Sequence, residues 1–243
     1  MKFIPVNLNK NPNEIHSYLK SNNKIKIANY FHWMAIKYAA NFVEPSGGTA
    51  VEIGCGEGYL MPTLSKHFDK VVGVDKSERM LNSAETFFQF ANVFYLIDNI
   101  AAPQHLRLIE EKYNWVICLE TLEHIRQWDV ALHNMFKMLL PGGRILLSVP
   151  VEIGLPLLAK EIARYFSYGK GSGWQLNYFV RKVAGSKSTI NRENYGSHMG
   201  FDYREVIDYI KKISYININH ISFFPINSRH LGLRVYIIAQ KTK

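Results

Sequence analysis

Sulfur is scarce in this sequence: only two cysteines, Cys55 and Cys118, occur in 243 residues. Neither belongs to a CxxC pair, so no thiolate metal site is indicated and a reduced, cytoplasmic setting is expected. Long apolar runs are missing too. The most apolar stretch, "ILLSVPVEIGLPLLA", is broken by Glu152 and two prolines, which argues against a membrane span. The first twenty residues lack the apolar core of a signal peptide. There is no internal repeat, no low-complexity tract, no zinc-finger spacing and no aromatic–basic RNA motif, so nucleic acid is disfavoured as a partner. Acidic residues are also few, 20 against 29 lysines and arginines, for a net charge of +9. That excess suits an anionic partner and equally a solvated, lysine-rich surface.

What is present is enough apolar material for a core, 47% of the chain, in a length that suits one large α/β domain. From residue 49 onward, short apolar runs alternate with helix-like runs. Strands are expected at 49–54, 70–75, 93–98, 113–120 and 143–149, each of the first four followed by a helical stretch. Ser77 is placed to cap the second of these helices. This rhythm implies a parallel sheet with right-handed crossovers. It stops after Pro150 and resumes with a helix at 202–213 and two strands, 215–224 and 233–241, joined without a helix and so antiparallel. The expected organisation is an N-terminal helical cap over 1–48 and a main domain over 49–243, with an inserted lid at about 151–200.

The stretch "VEIGCGEGYL" follows the first strand and holds three glycines in ten residues. In open α/β sheets, the turn after the first strand is where nucleotides bind. The spacing Gly54-Cys55-Gly56-Glu57-Gly58 is not the GxGxxG of dinucleotide binders, and Glu52 and Glu57 would repel a pyrophosphate. A phosphate-free nucleoside carrying positive charge fits better, and S-adenosylmethionine is such a ligand. Asp75 ends the second strand, 21 positions after Gly54, where its carboxylate can accept from ribose hydroxyls. Asp98 and Asn99 end the third strand, "CLETLEHI" ends the fourth, and "LLPGGRILLSVP" supplies a turn and the fifth.

With these motifs in this order, residues 49 to 150 resemble the class I S-adenosylmethionine-dependent methyltransferases. The likeness is to the small-molecule branch that includes the ubiquinone-biosynthesis O-methyltransferases. Asn114 departs from the acid often found before the fourth strand of that family, and a structural role is expected for it. The resemblance implies a Rossmann-like fold with a seven-stranded, mostly parallel sheet in the order 3-2-1-4-5-7-6, strand 7 antiparallel. It also implies roles for individual residues. Glu52, Gly54, Cys55, Gly56 and Gly58 would border the methionine moiety, Asp75 the ribose, and Asp98 and Asn99 the adenine. Lys76 and Met80 would flank the adenosine, and Leu119 or Glu120 the aminopropyl end.

A hydroxyl acceptor needs its proton removed by a histidine or carboxylate within reach. His124, after the fourth strand, and His198, before the helix at 202–213, are the candidate catalytic residues; each could instead only order its loop. Glu120, Glu123 and His124 form an ExxEH pattern that in some relatives holds a divalent ion, and no metal is assigned on that basis. In the insert, Leu158, Ile162 and Phe166 recur near helical spacing, an apolar stripe expected to pack on the domain. Trp174 and Tyr178 could stack on an acceptor, and Tyr30 or His32 could approach the cofactor. The expected activity is methyl transfer to a small molecule, at oxygen, the acceptor being anionic or lipid-linked and peripheral membrane contact compatible with it. RNA methylation on the basic surface, or a binding module that has lost turnover, are the alternatives.

Overall fold

The structure, a computed structural model, describes residues 1–4, 26–45, 47–105, 110–169, 171, 173, 175–187, 198 and 200–242; side chains 26–32, 167 and 168 are not described. Tyr30, His32 and Trp174 therefore lie outside the described side chains. Seven strands form one sheet: β1 (Thr49–Ile53), β2 (Lys70–Asp75), β3 (Val93–Ile97), β4 (Tyr113–Leu119), β5 (Leu139–Pro150), β6 (Ile216–Phe224) and β7 (Arg234–Lys241). Their order is β3-β2-β1-β4-β5-β7-β6, as the resemblance implied. β7 runs antiparallel to both β5 and β6, and the other pairs are parallel.

Seven helices flank the sheet among the described residues: α1 (Lys26–Ala40), α2 (Met61–Ser65), α3 (Glu78–Phe87), α4 (Trp128–Met138), α5 (Gly154–Tyr168), α6 (Leu176–Val183) and α7 (Tyr203–Lys211). The central strands alternate apolar residues between two cores. Val51, Val116, Cys118, Ile145 and Leu147 face Met135, Phe136, Val206 and Ile210 of α4 and α7. Ala50, Trp115, Ile117 and Leu146 face Ala39, Leu64 and Leu81 of α1, α2 and α3. Burial on both faces leaves the ends of the strands as the place where polar groups can gather.

Local chemistry sets the helix starts. Ser77 caps α3 by accepting from the Met80 N–H at 3.4 Å, and Asp202 caps α7 by accepting from the Arg204 N–H at 3.1 Å. Asn114 has the structural role expected of it: its Oδ1 accepts from the Thr49 N–H at 2.8 Å and ties the start of β1 to β4.

The insert departs from expectation. Leu158 is half-buried, but Ile162 and Phe166 point away from the domain, and Phe166 is 81% exposed. The stripe expected to pack inward faces out. Lys160 on the inner side of α5 explains this, because it donates to the buried Glu152 carboxylate and the Val151 carbonyl. A buried carboxylate needs its cation more than the helix needs to hide apolar surface.

Candidate active site

β1 and β4 are neighbours in space although β2 and β3 lie between them in the chain, so their crossovers leave in opposite directions and open a crevice at the strand ends. A cavity of about 600 Å³ occupies it. Glu52, Gly54, Cys55, Gly56, Asp75, Lys76, Met80, Asp98, Asn99, Leu119, Glu120, His124 and His198 all border this one space. Gly58 does not border it.

The three glycines have positive φ, at 73°, 54° and 78°, and serve different ends. A Cβ on Gly54 would fall on the Thr121 hydroxyl and methyl, so this position lets the loop after β4 close against β1. A Cβ on Gly58 would lie 3.0 Å from Ala84 and 3.2 Å from Phe88, so its bareness seats the turn on α3 and is a packing feature. Only at Gly56 is the space open, with nothing nearer than the Met80 sulfur at 3.9 Å. That open position, beside the cavity, is a cradle that a side chain would fill.

Asp75 holds the cradle in shape. Its Oδ2 accepts from the Gly56 N–H at 3.0 Å and its Oδ1 from the Ser77 N–H at 2.8 Å. An ionised carboxylate accepts about four bonds, so two positions remain for a ligand. Asp98 differs. Its buried oxygens accept from the backbone N–H groups of Asn99, Gln104 and His105 at 2.7, 2.9 and 3.0 Å, and its Oδ2 lies 3.3 Å from His105 Nδ1. Burial works to raise its pKa, but these donors bring it below the ordinary value. With three backbone donors on its carboxylate, Asp98 shapes the loop at the third strand's end while still bordering the cavity.

Glu52 lies at the floor of the cavity, 5% exposed, and its Oε2 has no hydrogen-bond partner among the described residues. Desolvation, with the Asp75 carboxylate adding to it, pushes its pKa up to about 8. A buried, orphaned carboxyl is costly unless a cation arrives. The donor set of the cavity thus fits a nucleoside with positive charge at one end.

At the other side, Glu120 turns away from its ExxEH neighbours. Its Oε1 accepts from the Ser148 hydroxyl at 2.9 Å and its Oε2 from Arg234 Nε at 2.8 Å. Burial opposes its charge, but the guanidinium and the hydroxyl hold the pKa below the ordinary value. His198 takes the vacated place: its Nε2 lies 3.1 Å from His124 Nε2. Donor atoms of Glu123, His124 and His198 all fall within 4.8 Å of one another, close enough to share a divalent ion. Behind His198, Glu152 Oε1 lies 3.8 Å from Nδ1, and Lys160 Nζ lies 2.8 Å from the same oxygen.

Ser148, Glu152, Lys160 and Arg234 were not anticipated. One sequence signal existed for Arg234, a charge placed directly before the apolar run "VYIIA" of its strand.

A family profile described as a methyltransferase domain matches residues 30–228, most of the chain. The chain belongs to the methyltransferase domain family. Within that family setting, curated relatives include the ubiquinone biosynthesis O-methyltransferase of Hydrogenovibrio crunogenus, 30% identical over 115 residues, covering 47% of this chain and 48% of that one. The enzyme of the same name from Coxiella burnetii is 28% identical over 127 residues, 51% of this chain and 53% of the other. This methyltransferase-family chain therefore spans about half the length of the curated relatives it matches. Among solved structures, magnesium protoporphyrin IX methyltransferase from Synechocystis superposes with a TM-score of 0.61 at 16% identity, covering 92% of this chain and 89% of that one. An S-adenosylmethionine-dependent methyltransferase from Mesorhizobium loti gives 0.57 at 17%, covering 86% and 97%. The sheet order and these superpositions make the fold that of class I methyltransferases.

Proposed function

We propose that this family member is an S-adenosylmethionine-dependent methyltransferase that methylates a small-molecule acceptor at oxygen. One observation carries the reading: an orphaned, buried Glu52 faces the same cavity as the Gly56 cradle and Asp75. A pyrophosphate would meet two carboxylates there; a nucleoside with an ammonium and a sulfonium meets the charge it needs. The relatives named ubiquinone biosynthesis O-methyltransferase support oxygen as the acceptor atom.

In this reading Asp75 takes the ribose, Lys76 and Met80 flank the adenosine, and Asn99 with the Asp98-ordered loop borders the base. Glu52 receives the cationic amino acid end, beside Gly54, Cys55, Leu119 and Glu120. Bound S-adenosylmethionine supplies an electrophilic methyl group. What the chain adds is alignment, exclusion of water and removal of one proton. His124 and His198 share a single hydrogen bond through their Nε2 atoms, so the ring that donates it keeps its Nδ1 lone pair to accept the acceptor's proton while the other steadies it. Glu152, held by Lys160, positions the His198 ring from the far side.

Calorimetric titration with S-adenosylmethionine and, separately, NAD tests the reading on the native chain and on Asp75→Ala. Binding of S-adenosylmethionine alone, weakened about a hundredfold or more by the substitution, is the expected result. Binding of NAD, or of neither, would overturn it.

A further inference from the structure

Among the described residues two arginines place their Nε on a carboxylate, and their outer nitrogens fare differently. Arg204 Nε donates to Asp202 Oδ1 at 2.9 Å, and its Nη groups are then taken up by the Gly185 and Ser186 carbonyls and by Asp202 Oδ2. Arg234 Nε donates to Glu120 Oε2 at 2.8 Å, and neither of its Nη atoms meets an acceptor among the described residues. A guanidinium has five N–H donors, so Arg234 keeps four in a planar fork whose geometry matches a carboxylate.

This fork is held still and is accessible. Glu120 is itself fixed by the Ser148 hydroxyl at 2.9 Å, and β7 is paired on both sides at Arg234, with Pro150 of β5 and Phe224 of β6. The Arg234 side chain is nonetheless 20% exposed and borders the cavity. A guanidinium fixed in advance loses little rotamer freedom on binding, so more of its hydrogen-bond energy goes into affinity. Glu120 occupies the Nε edge, and an anion on the Nη edge meets the cation before it meets that carboxylate.

Position decides what the fork serves. Lys76 and Arg234 are the permanently charged cations among the described residues that line the cavity. Lys76 follows Asp75 at the end of β2, whereas Arg234 opens β7, four places along the sheet and roughly 19 Å away at about 4.8 Å per strand. The residues assigned above to the cofactor lie at the ends of β1 to β4, so Arg234 stands beyond them, on the side of the two histidines. The charges of Glu120 and Arg234 reach Glu123, whose Oε1 lies 4.0 Å from His124 Nε2.

We propose that Arg234 recognises the methyl acceptor: its Nη fork binds a carboxylate on that molecule and so holds the acceptor's hydroxyl against the His124–His198 pair. The proposal rests on the methyltransferase reading above and narrows its acceptor to a hydroxy acid.

The test compares benzoate with benzamide, which share shape and differ in charge, by ligand-observed saturation-transfer NMR on the full chain without cofactor. The native chain should bind benzoate at least about tenfold more tightly than benzamide. Arg234→Lys keeps a cation opposite Glu120 but has no fork, and most of the preference should be lost. Arg234→Met/Glu120→Gln removes both charges, so no carboxylate is stranded, and the preference should vanish; an unchanged circular dichroism spectrum establishes that each variant folds. With the arginine guanidinium groups labelled with nitrogen-15, the Arg234 Nε signal, identified by its absence in Arg234→Lys, should move with benzoate and stay fixed with benzamide. Cofactor binding is measured separately by calorimetry with S-adenosylhomocysteine. Failure to bind that nucleoside would count against the methyltransferase reading and leave the benzoate result standing. Equal affinity for acid and amide, absence of binding included, would overturn the proposal. So would an acid preference that survives in the double variant, or displacement of benzoate by S-adenosylhomocysteine, which would give the fork to the cofactor's own carboxylate.

Discussion

Arg234, opening β7, donates through Nε to Oε2 of Glu120 at the end of β4, 2.8 Å away and 114 positions earlier in the chain. Glu120 holds a positive φ of 48°, a left-handed conformation that non-glycine residues sustain only when neighbours enforce it. The pair fixes the wall of the cavity where the fourth strand ends. Removing the guanidinium with Arg234→Met strands a mostly buried carboxylate, at a cost of about 2–3 kcal/mol. The melting temperature should fall by about 5–10 °C at neutral pH. Because the folded pKa of Glu120 lies below its ordinary 4.5, this contribution is complete above that value and is lost as pH falls through the folded pKa. The gap in melting temperature between native chain and variant should therefore close in acid. A gap that persists there would refute the assignment.

Glu52 makes a prediction of opposite sign. Its pKa is raised to about 8, so in the free protein at pH 7 it is mostly protonated. A cation arriving in the cavity favours the ionised form, and binding releases most of a proton. Calorimetric enthalpies for S-adenosylmethionine at pH 7 should therefore vary with the ionisation heat of the buffer. They should stop varying at pH values well above 8, and in Glu52→Gln at any pH. The same raised pKa means that folding stability contributed below pH 4.5 is progressively lost as pH rises towards 8. Buffer-independent enthalpy for the native chain would show that Glu52 faces no cation.

Two glycines two positions apart should fail differently. Gly54→Ala drives a methyl into Thr121, and the fold should lose about 2–4 kcal/mol. Thr121→Ala should recover part of this. Gly56→Ala meets no protein atom closer than 3.9 Å, so it should cost only the strain of its positive φ, about 1 kcal/mol, while lowering cofactor affinity at least about tenfold. Chemical denaturation and calorimetry separate the two. Equal effects on stability would remove the cradle from the argument.

His124 and His198 should behave as one unit. Substituting either with alanine is expected to lower kcat by about a hundredfold to ten-thousandfold with cofactor affinity unchanged. Since the two rings share one hydrogen bond, the double variant should be little worse than the poorer single one. Multiplied losses would mean that the rings act separately.

The parts legible in the sequence are those set within a few residues. Asp75 and Ser77 sit on a strand end and the helix start that follows it, and the order of strands follows from the βα rhythm. Glycine spacing does not say whether a ligand or a neighbouring helix needs the room; at Gly58, Ala84 and Phe88 need it. Asp98 was readable as an acid at a strand end, but the N–H groups it accepts from belong to a loop whose course is set by folding. Ser148 and Arg234 reach Glu120 only through the sheet, so no local pattern announces them. In α5 the spacing shows an apolar stripe. Which side faces inward was decided by a single tertiary partner, Glu152, drawing Lys160 to the domain.

The Tyr236 hydroxyl donates to the Ala35 carbonyl at 2.9 Å across 201 positions of sequence, and both residues border the cavity. Contacts of that span are slow to form, because the chain entropy of closing so large a loop is lost before any packing repays it. The cavity's walls come from α1, β4 and β7, so it becomes whole only when the two ends of the fold have met. Nucleoside capture then reads out the completion of folding. A refolding chain should regain helical signal and apolar burial well before it regains its ligand, and until that moment the glycine loop and its acid stand ready with nothing opposite them.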